Sequence, residues 1–371
     1  MTKDGIRCYL WPMSYALARF RAIRHVATAN AAACVGRAPW PRAAHLVPTW
    51  RCNLRCRVCT VWKRAGDQPD LPLADMLQIV RRLRCLDIVK VIGGEPFMYE
   101  EFAAVGHAIR KEIDPYIFQI ISNGTLTERI VDFVRGIAWP GLHLRLSVDG
   151  LAARHADMRV GQDDGFERVM NTLESCARLR REKNFVLGVN FNLTTRSAPD
   201  LPEMARRCEE LGVDLIPGIP VSPFLEDVDI EAAEHRVLEI EDPEVVREAL
   251  VRAAYGSKKG VTGFGKRFLA LANDRIFTRL LAGGAAQPFG CREMRSMIYV
   301  FPQGDIVLCG LRHLKLGNLV EHDLPTLWRS PRAEELRRAA DTCPGCNQAA
   351  IEIVSRLYGF CPAVRARRLN K

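Results

Sequence analysis

Between residues 45 and 220 the chain alternates two kinds of hydrophobic pattern. Short runs rich in β-branched and aromatic residues predict strands: "HLVPTW" (45–50), "DIVKVIGG" (87–94), "YIFQIISN" (116–123), "HLRLSVD" (143–149), "FVLGVNFNL" (185–193) and "DLIPGIP" (214–220). Between them lie "LADMLQIVRRLRCL" (73–86), "TERIVDFVRGIA" (127–138), "FERVMNTLESCARLRR" (166–181) and "LPEMARRCEELG" (201–212). Their apolar residues recur three and four apart, the spacing of amphipathic helices. Six strand–helix units in series predict an α/β fold with a parallel sheet and helices outside it. Eight such units close a βα barrel. Six predict a curved, open (β/α)6 partial barrel, and a flat doubly wound sheet fits the same pattern.

The polar residues fall where this architecture gives them meaning. "GGEP" (93–96), "SNGT" (122–125) and "SVDG" (147–150) end the second, third and fourth strands, and "NFN" (190–192) lies near the end of the fifth. Each alone is ordinary turn chemistry. In parallel α/β folds, however, the loops after the strand C-termini converge on the ligand-binding face. Taken together, these groups outline one site.

The rest of the chain divides around this core. Residues 1–42 form a basic segment of helical pattern, and 43–225 hold the strand–helix units. Residues 226–285 read as an acidic loop and two connecting helices, and 286–371 as a separate C-terminal region. The formal charge is +10, but the basic clusters "RFRAIR" (19–24), "RRLR" (81–84), "RLRRE" (178–182) and "RARR" (365–368) are scattered, mostly on helices. Solvated helix faces account for them, so no nucleic-acid partner is expected, and an anionic membrane surface or a protein is an equally weak partner for the N-terminal segment. "NAAAC" (30–34) resembles a lipoprotein cleavage site, but the arginine-studded stretch before it lacks an apolar core. No run of about twenty apolar residues is present, so no transmembrane segment is expected. The reading is of a cytoplasmic protein.

Thirteen cysteines in such a compartment are not read as disulfides. Cys8, Cys34, Cys85, Cys176 and Cys208 stand alone and read as small buried hydrophobes. Cys52, Cys56 and Cys59 form one group, and Cys291, Cys309, Cys343, Cys346 and Cys361 a second. Structural zinc takes four ligands, whereas the first group offers three. Three thiolates can instead hold three irons of a [4Fe–4S] cube and leave the fourth open to another ligand.

Cys52-x3-Cys56-x2-Cys59, followed at the second strand by Gly93-Gly94-Glu95-Pro96, resembles the radical S-adenosylmethionine (radical SAM) superfamily, whose partial TIM-like barrel agrees with the six units. The resemblance implies that the open iron chelates S-adenosyl-L-methionine (SAM). It further implies that an electron from a donor such as flavodoxin or ferredoxin cleaves SAM, giving methionine and a 5′-deoxyadenosyl radical. By the same analogy Gly93, Gly94 and Glu95 contact or orient SAM, the glycines by letting backbone approach it. Ser122, Ser147, Asn190, Asn192 and Arg159 are further candidates for SAM contacts. The family often places an aromatic before the third cysteine, where this chain has Val58.

Cys291, Cys309, Cys343 and Cys346, with "FPQGDIVLCG" (301–310), "LGNL" (316–319) and "LPTLW" (324–328), resemble the auxiliary-cluster extension called SPASM or, in its shorter form, twitch. The shorter form implies one auxiliary [4Fe–4S] cluster on these four cysteines. A zinc site on the same four is the alternative. Cys361 is then surplus: a buried thiol, a substitute ligand, or a hydrogen-atom donor to substrate.

An auxiliary cluster can accept the electron left by a two-electron oxidation. Resemblance to family members with the short extension implies, as the expected activity, a dehydrogenase-type modification of a small molecule such as a sugar or cyclitol. A radical epimerase using Cys361, or a maturase acting on a ribosomal peptide, is the alternative, and a non-catalytic iron–sulfur or zinc module the outsider. His143, His155, His313 and His322 read first as structural histidines, and Tyr299 and Arg312 as packing and solvated residues.

Overall fold

The computed structural model describes residues 15–34, 38–57, 59–64, 66, 69–84, 86–218, 244–245, 248–249, 293–310 and 314–339. Helix α1 (Tyr15–Cys34) precedes strands β1 (Ala43–Leu46) and β2 (Arg55–Cys56). Then come α2 (Leu73–Arg82), β3 (Ile88–Val91), α3 (Phe102–Ala108), β4 (Ile117–Ser122), α4 (Thr127–Ile137) and β5 (Leu142–Val148). The barrel region continues with α5 (Ala152–Met158), β6 (Arg159–Val160), α6 (Gly165–Leu179), β7 (Val186–Asn192), α7 (Leu201–Leu211) and β8 (Asp214–Gly218). The C-terminal region contributes β9 (Met297–Val300), β10 (Asp305–Val307), β11 (Lys315–Asn318), α8 (Leu324–Trp328) and α9 (Pro331–Ala339).

Every strand predicted between 45 and 220 is found, and the six pair in parallel in the order β1-β3-β4-β5-β7-β8. Leu46, Val91, Ile120, Leu144 and Val189 alternate onto the outer face. They pack there with Ile79, Val105, Phe133 and Leu173 of the helices in one buried core. The opposite face carries His45, Lys90, Gln119, His143, Arg145, Ser147, Asn190 and Asp214 on neighbouring strands, which gives the barrel a largely polar lumen. The lone cysteines Cys176 and Cys208 lie in the apolar core, 0% and 1% exposed, as small hydrophobes do.

One pairing has no local signature in the sequence. β9 lies parallel to β1, Ala43 opposite Met297, and carries the antiparallel strands β10 and β11 on its far side. The C-terminal region therefore extends the barrel's own sheet to nine strands. Gly304, at φ 81, makes the β9–β10 turn, and Asn318 of "LGNL" donates to the Gln303 carbonyl and the Asp305 carboxylate. Tyr299, Phe301 and Val307 pack with Val47, Trp50 and Val61, which flank the first cysteine group.

The basic helix α1 is fixed by specific contacts on one face. His25 Nδ1 lies 2.9 Å from the buried Asp87 carboxylate, and Arg21 donates to the Asp114 carbonyl at 2.8 Å. These contacts account for Arg21 and His25 without any external partner.

Candidate active site

The loops after β1, β3, β4, β5 and β7 meet at a cleft of about 280 Å³. Its walls include Cys52, Cys56, Cys59, Gly93, Gly94, Glu95, Ser122, Ser147, Arg159 and Asn192, residues widely separated along the chain. Asn190, two positions before Asn192 on the same strand face, does not line the cleft. It sits one step deeper, opposite Ser147.

The glycine loop is held against the chain that leads into the cysteines. Gly94 N–H donates to the Thr49 carbonyl and Glu95 N–H to the Arg51 carbonyl, at 3.1 and 2.8 Å. A Cβ on Gly94 would lie 2.1 Å from the Arg51 oxygen, and one on Gly93, whose φ is 126°, 2.4 Å from Val47 Cγ1. The close approach that demands glycine is therefore to the protein itself, the Arg51 backbone at Gly94 and the Val47 side chain at Gly93, in addition to any approach by a ligand.

Glu95 is 1% exposed and holds the next loop in place. Its Oε1 accepts from Ser122 Oγ (2.9 Å) and Phe97 N–H (3.2 Å), and its Oε2 from Asn123 N–H (2.7 Å). Burial lifts its pKa to about 7 although all three donors oppose the rise. Asn123 in turn donates to Asn53 Oδ1 at 2.8 Å, within the cysteine loop, and accepts from Thr125. Sequence reading missed Asn53, Asn123 and Thr125 because each looks like an ordinary turn residue; their partners lie about 70 positions away.

Across the cleft, β2 and β6 form a two-residue antiparallel bridge that sets Cys56 opposite Arg159. Arg159 Nε donates to Asp149 Oδ2 at 2.8 Å, and Asn192 Nδ2 to Asp149 Oδ1 at 2.8 Å. Burial works against the Arg159 charge, but Asp149 outweighs it and holds the guanidinium above its usual range. His155 accepts from Asp149 N–H, and burial keeps its pKa down near 4, so the ring is neutral and structural. Trp62, also unforeseen, lines the cleft and donates to the Cys56 carbonyl at 3.4 Å.

The three thiols are half-buried, and burial pushes Cys52 up to about 11 and Cys56 to about 12, and raises Cys59. Without metal they stay protonated, so ligation releases their protons. Among the described residues no three His, Cys, Asp or Glu side chains converge on a point that holds one metal ion. The thiols instead ring a cleft, an arrangement that suits a cluster several atoms across.

The remaining candidates are less informative. Cys309 is buried just after β10, and Tyr299 is buried with its hydroxyl bonded to Glu293. His143 faces the lumen and His322 is exposed. Val58, Cys291, Arg312, His313, Cys343, Cys346 and Cys361, and nearly all of 226–285, lie outside the described residues.

A family model for the radical SAM superfamily matches residues 46–194, and one for an iron–sulfur cluster-binding domain, SPASM, matches 291–347. Pre-heme d1 synthase of Dinoroseobacter shibae is 26% identical over 170 residues, 45% of this chain and 40% of the relative, so the match spans less than half of that protein. Solved structures share the fold at low identity. Streptococcus suis SuiB bound to S-adenosylmethionine has a TM-score of 0.55 at 19% identity, covering 80% of this chain and 68% of that one. SuiB bound to precursor peptide SuiA scores 0.58 at 17%, covering 95% and 78%. Native anSMEcpe with bound AdoMet and Cp18Cys peptide scores 0.55 at 18%, covering 81% and 83%. Among the described residues no helix is long and apolar enough to cross a membrane. The chain carries a radical SAM domain and a C-terminal SPASM domain, an enzyme architecture whose cofactors are a [4Fe–4S] cluster, SAM and auxiliary iron–sulfur.

Proposed function

We propose that the enzyme removes a hydrogen atom from a small molecule held in the barrel lumen and completes a dehydrogenase-type oxidation of it. The observation that carries this reading is the meeting of Cys52, Cys56 and Cys59 with Gly93–Glu95, Ser122, Ser147, Arg159 and Asn192 around one cleft. Cys52, Cys56 and Cys59 would hold a [4Fe–4S] cluster that, with SAM bound, supplies a 5′-deoxyadenosyl radical.

The chain's own residues position and shield that chemistry. Gly93 and Gly94 present backbone at the cleft wall, and Glu95 fixes the loops that carry Ser122 and Asn123. The Arg159–Asp149–Asn192 group gives the opposite wall a cation and amide donors, which suit a carboxylate. Leu54, Val61, Trp62, Ile92 and Ile121 line the same cleft with apolar surface and exclude water from it.

Substrate oxidation balances as loss of a hydrogen atom, then a proton and an electron. An auxiliary cluster on Cys291, Cys309, Cys343 and Cys346 would supply the electron acceptor. The product named for the curated relative, pre-heme d1, is a small molecule, which supports this substrate class. A peptide substrate is the second reading, favoured by the similarity to SuiB bound to its precursor peptide.

The test is to incubate reconstituted protein with SAM, dithionite and deuterated candidate substrates. Deuterium transferred from a small molecule to 5′-deoxyadenosine is expected. Label arriving only from peptides would favour the second reading, and failure to form 5′-deoxyadenosine at all would overturn both.

A further inference from the structure

The cysteine loop and Gly93–Glu95 occupy the β1–β3–β4 side of the cleft. On the other side, Arg145 of β5 faces the lumen directly below Ser147, which lines the cleft, and beside Ile121, which also lines it. Arg145 is 7% exposed. It is level with Gly188 of β7, which is level with Asp214 of β8.

Gly188 is the reason the guanidinium can lie there. A Cβ at that position would stand 1.9 Å from Arg145 Nη1, so the side chain crosses flat over the bare backbone toward Asp214. It does not close a tight pair: Nη1 stops 3.7 Å from Asp214 Oδ2. Structural arginine–carboxylate pairs close to about 2.7–2.9 Å, often through two parallel hydrogen bonds. Among the described residues, buried Nε and Nη1 meet no hydrogen-bond partner at ordinary distance, and the long approach to Asp214 is their ionic contact. Leaving such donors unsatisfied costs on the order of 1–3 kcal/mol each, more for a charged group. An anion arriving from the cleft would satisfy both.

The surroundings favour that visitor. Arginine keeps its charge when buried, and its fork matches a carboxylate or phosphate. His143, two residues before Arg145 on the same face, is driven by burial down to about 4 and stays neutral, so it adds no competing charge. Asn190, opposite Ser147 and above Gly188, adds an amide at the same wall. Asp214 is the competing anion, set at the edge strand.

We propose that Arg145, with Asn190 above it, forms an anion subsite that anchors a carboxylate or phosphate of the substrate on the β5–β8 side of the lumen. This rests on the reading that the lumen holds the substrate, and it narrows the substrate class to anionic molecules.

The experiment uses metal-free protein without SAM or reductant, titrated with acetate and with inorganic phosphate at constant ionic strength and followed by calorimetry and thermal shift. Saturable binding is expected, and the tighter of the two probes identifies the anion type. Arg145→Gln should abolish it. Asp214→Asn should tighten it about tenfold, because a charge competing for the guanidinium is gone. Should Arg145→Gln fail to fold, Gly188→Ala displaces the guanidinium while keeping its charge and should also abolish binding. Absence of saturable binding in the wild type, equal binding in Arg145→Gln or Gly188→Ala, or weaker binding in Asp214→Asn would overturn the proposal. Because no SAM is present, protein that binds anions but never cleaves SAM would overturn the functional reading alone.

Discussion

Cys56 and Arg159 face one another across a two-residue antiparallel bridge, so the cysteine loop is tied to the loop that follows β5. Arg159 is also locked to the fully buried Asp149. Removing one member of a buried pair leaves the other charge uncompensated, at a cost of about 3–5 kcal/mol. Arg159→Ala should therefore lower the melting temperature of the metal-free protein and weaken SAM binding after reconstitution. Combining Arg159→Met with Asp149→Asn should cost less than the sum of the single changes. Additive losses in denaturant melts would show that the pair is not coupled.

Gly94 gives a second prediction. Gly94→Ala sets a methyl against the Arg51 carbonyl and pushes the glycine loop away from the cysteine loop. Overpacking of this kind costs about 1–3 kcal/mol. The expected readout is a lower iron content per chain on reconstitution, with most secondary structure retained by circular dichroism. Unchanged iron content and SAM affinity would mean that the two loops need not touch.

Glu95 sets a pH dependence. Its ordinary value is 4.5, and burial raises it to about 7 in the folded state. Between these values the folded protein binds a proton that the unfolded chain does not. The associated stability is full below about 4.5 and is lost as pH rises through about 7. The loss is on the order of 3 kcal/mol. Glu293, raised by burial to about 7, acts in the same direction. Lys90, lowered to about 8 by burial, acts the other way, with stability recovered above that value. His143 and His155, driven by burial to about 4, and His45, also lowered by burial, gain stability as pH rises through about 6.5, so between about pH 5.5 and about pH 7.5 they offset most of the loss from the two carboxyls and metal-free protein should show only a shallow slope in urea melts. Glu95→Gln removes one of the two carboxyls that oppose the histidines, so its stability should rise with pH across that window relative to the wild type. An unaltered slope in the variant would rule out Glu95 as a source.

Cys361 separates two reaction types. Under the dehydrogenase reading, Cys361→Ala keeps both SAM cleavage and product formation. If turnover stops while 5′-deoxyadenosine still forms, the thiol donates a hydrogen atom and the enzyme is an epimerase. Product analysis alongside 5′-deoxyadenosine quantification distinguishes the two.

Most of the barrel was legible because its signals are local. "YIFQIISN" and "HLRLSVD" carry their own period and their own terminators; β4 falls within the first, and β5 starts one residue before the second. The cysteine spacing and "GGEP" are likewise contiguous in sequence. What sequence reading missed depends on contacts between distant segments. The choice of Asn192 over Asn190 for the cleft wall turns on depth along one strand face, which period alone cannot rank. Asp149, within "SVDG", looked like turn chemistry, yet it joins Arg159, Asn192 and His155. The parallel pairing of β9 with β1 joins residues some 250 positions apart and leaves no mark on either segment.

That pairing also bears on how the molecule can be dissected. Because β9 covers one side of β1, a shortened chain ending after the barrel units would leave the strand feeding the iron-binding thiols as a bare margin, with unsatisfied N–H and C=O groups inviting association with other copies. During synthesis, β1 gains its second neighbour only after residue 300 has been added, more than 250 residues after β1 itself. Completion of the sheet around the first cysteine group is thus tied to arrival of the second region.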